Sequence, residues 1–180
     1  MIFQNLTIHH VHEGEGDALE VTSDSSNVWI DHNEFYSELY DEPDKDYYDG
    51  LVDIKRNSQY VTVSWNYFHD HWKASLVGHT DSAGDAPDKV TYDHNLFADI
   101  NTRVPLIRYA DVHMLNNVIR SVNGSAVNAR MGPGCWSRAT PSRTWARARS
   151  MTTPDTSKAR SAGSTAVTKR VTGTSRTTPS

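Results

Sequence analysis

The sequence predicts an all-β fold, a parallel β-helix in which the chain winds through stacked coils. Three observations predict it. The form apolar-x-apolar-x-x-Asn-x-apolar occurs in four copies: Val28-Trp-Ile-Asp-His-Asn-Glu-Phe35, Val61-Thr-Val-Ser-Trp-Asn-Tyr-Phe68, Val90-Thr-Tyr-Asp-His-Asn-Leu-Phe97 and Val112-His-Met-Leu-Asn-Asn-Val-Ile119. Copies at fixed register, 22 to 33 residues apart, mark a repeat architecture. Each copy opens with period-2 alternation, so each is a strand with one buried face. The third observation is the asparagine at one place in every copy: Asn33, Asn66, Asn95 and Asn117. It falls where the strand should turn, because its side chain bonds local backbone and tolerates left-handed geometry. Stacked coils would align the four in a ladder. Leucine is scarce and no helix is patterned between strands, which disfavours a leucine-rich repeat.

Taken in order, residues 2–11 alternate as a single strand, with no capping segment before them. A solenoid needs capped ends, so the chain is expected to begin inside a larger fold. Glu13-Gly-Glu-Gly-Asp17 is an acidic turn, and Ala18-Leu-Glu-Val21 opens the next strand. Residues 23–27 turn into the first full copy. Residues 38–49 form a long acidic loop, broken by Pro43 and Gly50. Leu51-Val-Asp-Ile54 and residues 72–77 read as strands, with a Gly-, Asp- and Pro-rich loop over 80–89. Leu106-Ile-Arg108 and Ala126-Val-Asn128 are short strands around the last copy.

After Gly132 the pattern stops. Residues 1–132 hold nine Lys or Arg against 21 Asp or Glu; residues 133–180 hold nine against one, Asp155. The second part has nineteen Ser or Thr and, of Ile, Leu, Val and Phe, only Val167 and Val171, too little to bury a core. Two domains of different material are therefore expected: 1–132 as partial β-helix, 133–180 as a basic, Ser/Thr-rich tail, disordered or frameshifted. Back-translating residues 133–146 into GC-rich codons and shifting by two bases can read Gly-Val-Leu-Val-Glu-Gly-Asn-Ala-Phe-Glu-Asn-Val-Gly. Its middle is a fifth copy of the repeat. A frameshift origin is the favoured expectation, and the source DNA tests it.

Composition also excludes. No run of about 18 apolar residues exists, so no helix is expected to span a membrane. The start Met1-Ile-Phe-Gln-Asn5 lacks the basic and apolar regions of a signal peptide. Cys135 is alone and forms no internal disulfide. Nucleic acid would be repelled by the acidic part. Nine histidines come without an H-E-x-x-H motif or paired cysteines, which disfavours zinc. No G-x-S-x-G elbow marks a nucleophilic serine. Trp65, Tyr67 and Trp72 could stack on sugars or simply pack.

Three acids stand out. Asp49 and Asp53, in Asp49-Gly-Leu-Val-Asp53, share a face if they lie on one straight strand. A stacked coil could bring Asp17 beside them. Three carboxylates at one point repel unless a cation separates them, and calcium suits flexible all-oxygen sites. Spacing alone leaves this open against ordinary solvated acids. Four cations form a second set: Lys55, Lys73, Arg103 and Arg108. Arg103 and Arg108 leave one loop-strand unit, where Pro105 biases Val104 to extended backbone. They could face a groove that takes a polyanion, or make surface salt bridges.

At these residues the chain resembles the pectate lyases, family 1 of the polysaccharide lyases. The matching stretches are Val28-Trp-Ile-Asp-His32, Asp49-Gly-Leu-Val-Asp-Ile-Lys55, Val61-Thr-Val-Ser-Trp-Asn66, His71-Trp-Lys-Ala-Ser-Leu-Val-Gly78, Val90-Thr-Tyr-Asp-His-Asn95, Arg103-Val-Pro-Leu-Ile-Arg108 and Val112-His-Met-Leu-Asn-Asn117. They keep the family's order and cover nearly all of 1–132. The resemblance implies a right-handed parallel β-helix with three sheets and a cleft on one outer face. It implies Asp17, Asp49 and Asp53 as calcium ligands, with Glu15 as an additional acid. It implies Lys73 and Arg108 as substrate-binding cations, Lys55 near the cleft, and Arg103 as catalytic base. The implied reaction is calcium-dependent β-elimination of polygalacturonate, by a secreted monomer. The acid set separates it from pectin lyases.

The family's N-terminal cap, signal and later coils have no match here. A marginal, aggregation-prone fragment of the enzyme is therefore expected. Rival readings are an inactive or non-catalytic β-solenoid that binds acidic polysaccharide, a pectin lyase, or a hydrolytic polygalacturonase.

Overall fold

The computed structural model describes residues 1–12, 16–39, 45–132 and, as backbone, 135–138. Most of the basic tail, and the acidic Glu15, therefore lie outside the described residues. Strands follow the predicted order: β1 (Ile2–Gln4), β2 (Thr7–His9), β3 (Leu19–Val21), β4 (Ser26–Asp31), β5 (Glu34–Tyr36), β6 (Gly50–Ile54), β7 (Gln59–Ser64), β8 (Tyr67–Val77), β9 (Asp88–Asp93), β10 (Leu96–Thr102), β11 (Leu106–Arg108), β12 (Val112–Leu115), β13 (Val118–Val122), β14 (Asn128–Met131) and β15 (Cys135–Arg138). The pairings among them are parallel. The molecule is a parallel β-helix.

Three faces line it. The first is β1-β4-β7-β9-β12-β15. The second runs β2-β5-β8-β10-β13, through Tyr67 and Phe68 of β8. The third runs β3-β6-β8-β11-β14, through the Ser75 end of β8. The single long strand β8 thus turns a corner, at Asp70 with φ 45°, and joins two faces. The first face continues past Gly132, where β15 pairs with β12.

The repeat alternation places Val28, Ile30, Val61, Val63, Val90, Tyr92, Val112 and Met114 inside. On the second face Phe35, Phe68 and Phe97 stack through the core, with centroids 5.2 and 4.6 Å apart. The ladder is present. Asn33 donates to Asn66 Oδ1, Asn66 to Asn95 and Asn95 to Asn117, each through backbone N–H and Nδ2 at 2.9–3.0 Å. Each Nδ2 also reaches a carbonyl of the coil before, Phe3, Ile30, Val63 or Tyr92. A buried amide is tolerated because its donors and acceptor are satisfied.

Two expectations need correction. The left-handed residue at this corner is the one before each ladder asparagine: His32, Trp65, His94 and Asn116, at φ 51–54°. The asparagine supplies hydrogen bonds, not the strained backbone. Residues 2–11 are also two strands, not one, because Asn5 takes φ 57°. This coil is a degenerate copy in which Leu6 N–H meets Asn33 Oδ1 at 3.0 Å. Its missing asparagine hid the turn.

Candidate functional site

The third face brings the predicted acids and cations together, from coils that are far apart in sequence. Asp17 precedes β3, Asp49 directly precedes β6 and Asp53 lies within it, Lys55 follows β6, and Lys73 lies on β8. Arg103 precedes β11 and Arg108 is its last residue. Strand register explains the grouping. Gly50 pairs with Lys73, and Glu20 with Asp53.

Asp17 and Asp53 form the centre. Both side chains are almost fully buried, and their Oδ1 atoms converge over Gly50. A Cβ built there would meet Asp53 Oδ1 and would lie 2.7 Å from Asp17 Oδ1. Glycine is required by this close approach. Asp17 Oδ1 accepts Gly50 N–H at 2.8 Å, and Asp53 Oδ1 accepts Leu76 N–H at 3.1 Å. Burial, then the neighbouring Asp17 charge, pushes the Asp53 carboxyl up to about 8.

The cations answer this charge. Lys55 Nζ lies 2.6 Å from Asp17 Oδ2, 3.6 Å from Glu20 and 3.7 Å from Asp53 Oδ2. Burial opposes the Lys55 charge, yet the Asp17 hydrogen bond and nearby Asp53 hold its pKa above the usual lysine range. Lys73 pairs with Asp49 and, at 2.7 Å, with Asp46. The three acids are therefore divided between two lysines, and the Asp49 side chain is 40 % exposed. Among the described residues no three His, Cys, Asp or Glu side chains stand as a ready metal cage. The donors still fit a hard cation in kind. Two carboxylates meet at a point already faced by an ammonium, and a third, on Asp49, sits on the residue just before Gly50, its N–H held by Gly16 O.

On the far side, Arg108 Nε pairs with Asp81 at 3.1 Å and Nη1 donates to Gly78 O at 3.3 Å. Burial, then the charge of Arg130, lowers its pKa; Arg103 adds to this. Arg103 is left-handed at φ 62°, before the cis Val104–Pro105 bond, and its carbonyl accepts Ser75 N–H at 2.8 Å. Its charge reaches both Asp53 and Arg108.

Sequence reasoning missed Glu20, Asp46, Arg130 and His71. Arg130 follows Arg108 by the spacing that separates Asn95 from Asn117, a signal that was available. His71 is buried, and burial pushes its pKa down to about 4. Trp65 is exposed and stacks on His94 and His32 at 4.4 and 6.0 Å, on the corner after β7, away from the acids.

A parallel β-helix whose third face gathers acids and cations from successive coils belongs to the class of solenoid proteins that assemble a site from residues far apart in sequence. The comparisons identify the family. Residues 1–135 match the pectate lyase family, and the chain belongs to it. It is 46 % identical over 132 residues to the pectate trisaccharide-lyase of Bacillus licheniformis, covering 73 % of this chain and 38 % of that protein. Pectate lyase A of Emericella nidulans is 44 % identical over 135 residues, with 73 % and 40 % covered. Among solved structures, the pectate lyase of Bacillus sp. N165 in complex with trigalacturonate superposes with a TM-score of 0.72 at 64 % identity, covering 77 % of this chain and 41 % of that one. Pectate lyase C of Erwinia chrysanthemi, with Ca2+, gives 0.62 at 37 %, with 72 % and 38 % covered. The chain thus spans about two fifths of the length of these relatives.

Proposed function

We propose that this chain carries the catalytic coils of a calcium-dependent pectate lyase that cleaves polygalacturonate by β-elimination. The convergence of Asp17 and Asp53 over Gly50, with Lys73, Arg103 and Arg108 on the next coils, carries this reading. Each sugar of the polymer bears a carboxylate. Bare acids would repel it, while cations on neighbouring coils attract it.

In this reading Asp17, Asp49 and Asp53 hold the calcium. When bound, the ion supplies Lewis-acid charge that makes the proton beside the sugar carboxylate more acidic. Lys73 and Arg108 bind carboxylates and hold the chain in line, with Lys55 beside them; Arg130 extends the row. Arg103 in its neutral form takes the C5 proton, the C5 electron pair forms the C4–C5 double bond as the C4–O bond breaks, and the leaving oxygen takes a proton from water. The product is a 4,5-unsaturated oligogalacturonide. Pectate is a wall polymer, so the enzyme acts outside the cell, and no second subunit is needed for these roles.

Ultraviolet absorbance of the unsaturated uronate tests the proposal. Purified chain incubated with polygalacturonate is expected to give a rise with calcium and none with chelator. No rise from soluble, folded chain overturns the activity. Shortened chains without a double bond would point to hydrolysis instead. Arg103→Ala is expected to lower turnover by about 10²–10⁴-fold while calcium binding is kept or strengthened, because the lost cation acts on Asp53.

A further inference from the structure

We infer that Ser37 and His71 form a positioning relay that fixes the Asp49 main chain, and through it the affinity of the acid centre for a divalent cation. The inference rests on reading Asp49 as a cation ligand. It concerns a histidine that no step of the proposed chemistry uses.

Asp49 differs from its partners. Asp17 and Asp53 have carboxylates tied to backbone N–H groups, of Gly50 and Leu76. The Asp49 carboxylate instead meets the buried ammonium of Lys73, and Asp49 lies just before β6 rather than in it. Its peptide must therefore be held by other means. One hold is Asp49 N–H to Gly16 O, at 3.2 Å. The other is His71 Nε2, 2.9 Å from Asp49 O.

The proton positions follow from the partners. A carbonyl only accepts, so Nε2 carries the hydrogen. A single ring hydrogen, placed on Nε2 by the carbonyl, leaves Nδ1 as an acceptor. Ser37 Oγ lies against Nδ1 and donates to it. Both ring nitrogens are thus engaged, and the imidazole has one tautomer and one orientation. His71 is 1 % exposed, wedged between the residue after β5 and the loop that ends at Asp49. A buried polar ring costs more than an apolar one of equal size unless both nitrogens are met. Groups that orient ligands from behind typically change metal affinity about 10–100-fold when removed.

The test uses calcium titration calorimetry on the whole chain, with thermal unfolding and amide exchange of residues 45–54 read alongside. His71→Leu keeps bulk but cannot donate. It is expected to weaken calcium binding at least about tenfold and to speed exchange in that segment. His71→Gln, whose amide can donate from a similar distance, is expected to recover most of the affinity. Ser37→Ala is expected to cost a few-fold. Wild-type affinity in His71→Leu, or a glutamine variant as weak as the leucine one, overturns the relay. If His71→Leu fails to fold, Ser37→Ala decides, and unchanged affinity and exchange overturn it. A wild-type chain that binds no calcium overturns the calcium reading itself, and the relay with it.

Discussion

Asp53 shows how far burial moves a carboxylate when a second one shares its wall. Its ordinary pKa lies near 4 and its folded value is about 8, from burial and then Asp17. The sign of the consequence follows from proton counting. Between these values the unfolded chain has released a proton that the native chain keeps. This stabilisation is complete below about pH 4 and is lost as pH rises through about 8. In chelator, urea unfolding is therefore expected to show falling stability across that window, and Asp53→Asn to remove the slope. A slope unchanged in the variant would place the titration elsewhere. With calcium present the sense reverses, because the ion favours the ionised carboxylate.

At the scale of the element, the ladder and the phenylalanine stack are rival sources of coil-to-coil cohesion. Asn66→Ala would strand Asn33 N–H and Ile30 O, which Asn66 now satisfies. Each buried orphan costs about 1–3 kcal/mol, so a loss of about 3 kcal/mol is expected by denaturant unfolding. Phe68→Ala removes the middle ring of the stack, at a cost of about 3–5 kcal/mol. The two terms are of similar size. The coil is therefore specified as much by polar satisfaction at its corner as by apolar bulk on its face. A cost below about 1 kcal/mol for Asn66→Ala would mean water replaces the ladder bonds.

At the scale of the whole molecule, solenoid stability is close to a sum over neighbouring coils. The outer coils are the least buried: β1, β2, β13 and β14 hold only half-buried or exposed residues, whereas β6 is buried throughout. Amide exchange is expected to be fastest in β1, β2, β13 and β14 and slowest through β6, β7 and the second half of β8. Uniform protection would mean the coils unfold as one. We propose that 1–132 is the in-frame solenoid part and 133–180 a frameshifted basic tail, of which Cys135–Arg138 adds one strand beside β12. The source DNA tests this, and the absence of an alternative frame that continues the repeat would overturn it.

The sequence by itself determined the architecture and offered the candidate site residues. Alternation and a repeated asparagine are local signals, legible along a single chain, and Asp17, Asp49, Asp53, Lys55, Lys73, Arg103 and Arg108 could be named from motifs. Tertiary structure decided how they combine. Lys55 chose Asp17 across 38 residues, Lys73 chose Asp46 across 27, and Asp49 rests on a histidine 22 residues away. The corner's left-handed residue and the split at Asn5 were likewise settled only by folding. The physical reason is register. Which side chains meet on stacked coils depends on loop lengths and strand offsets accumulated between them, and no local pattern encodes that sum.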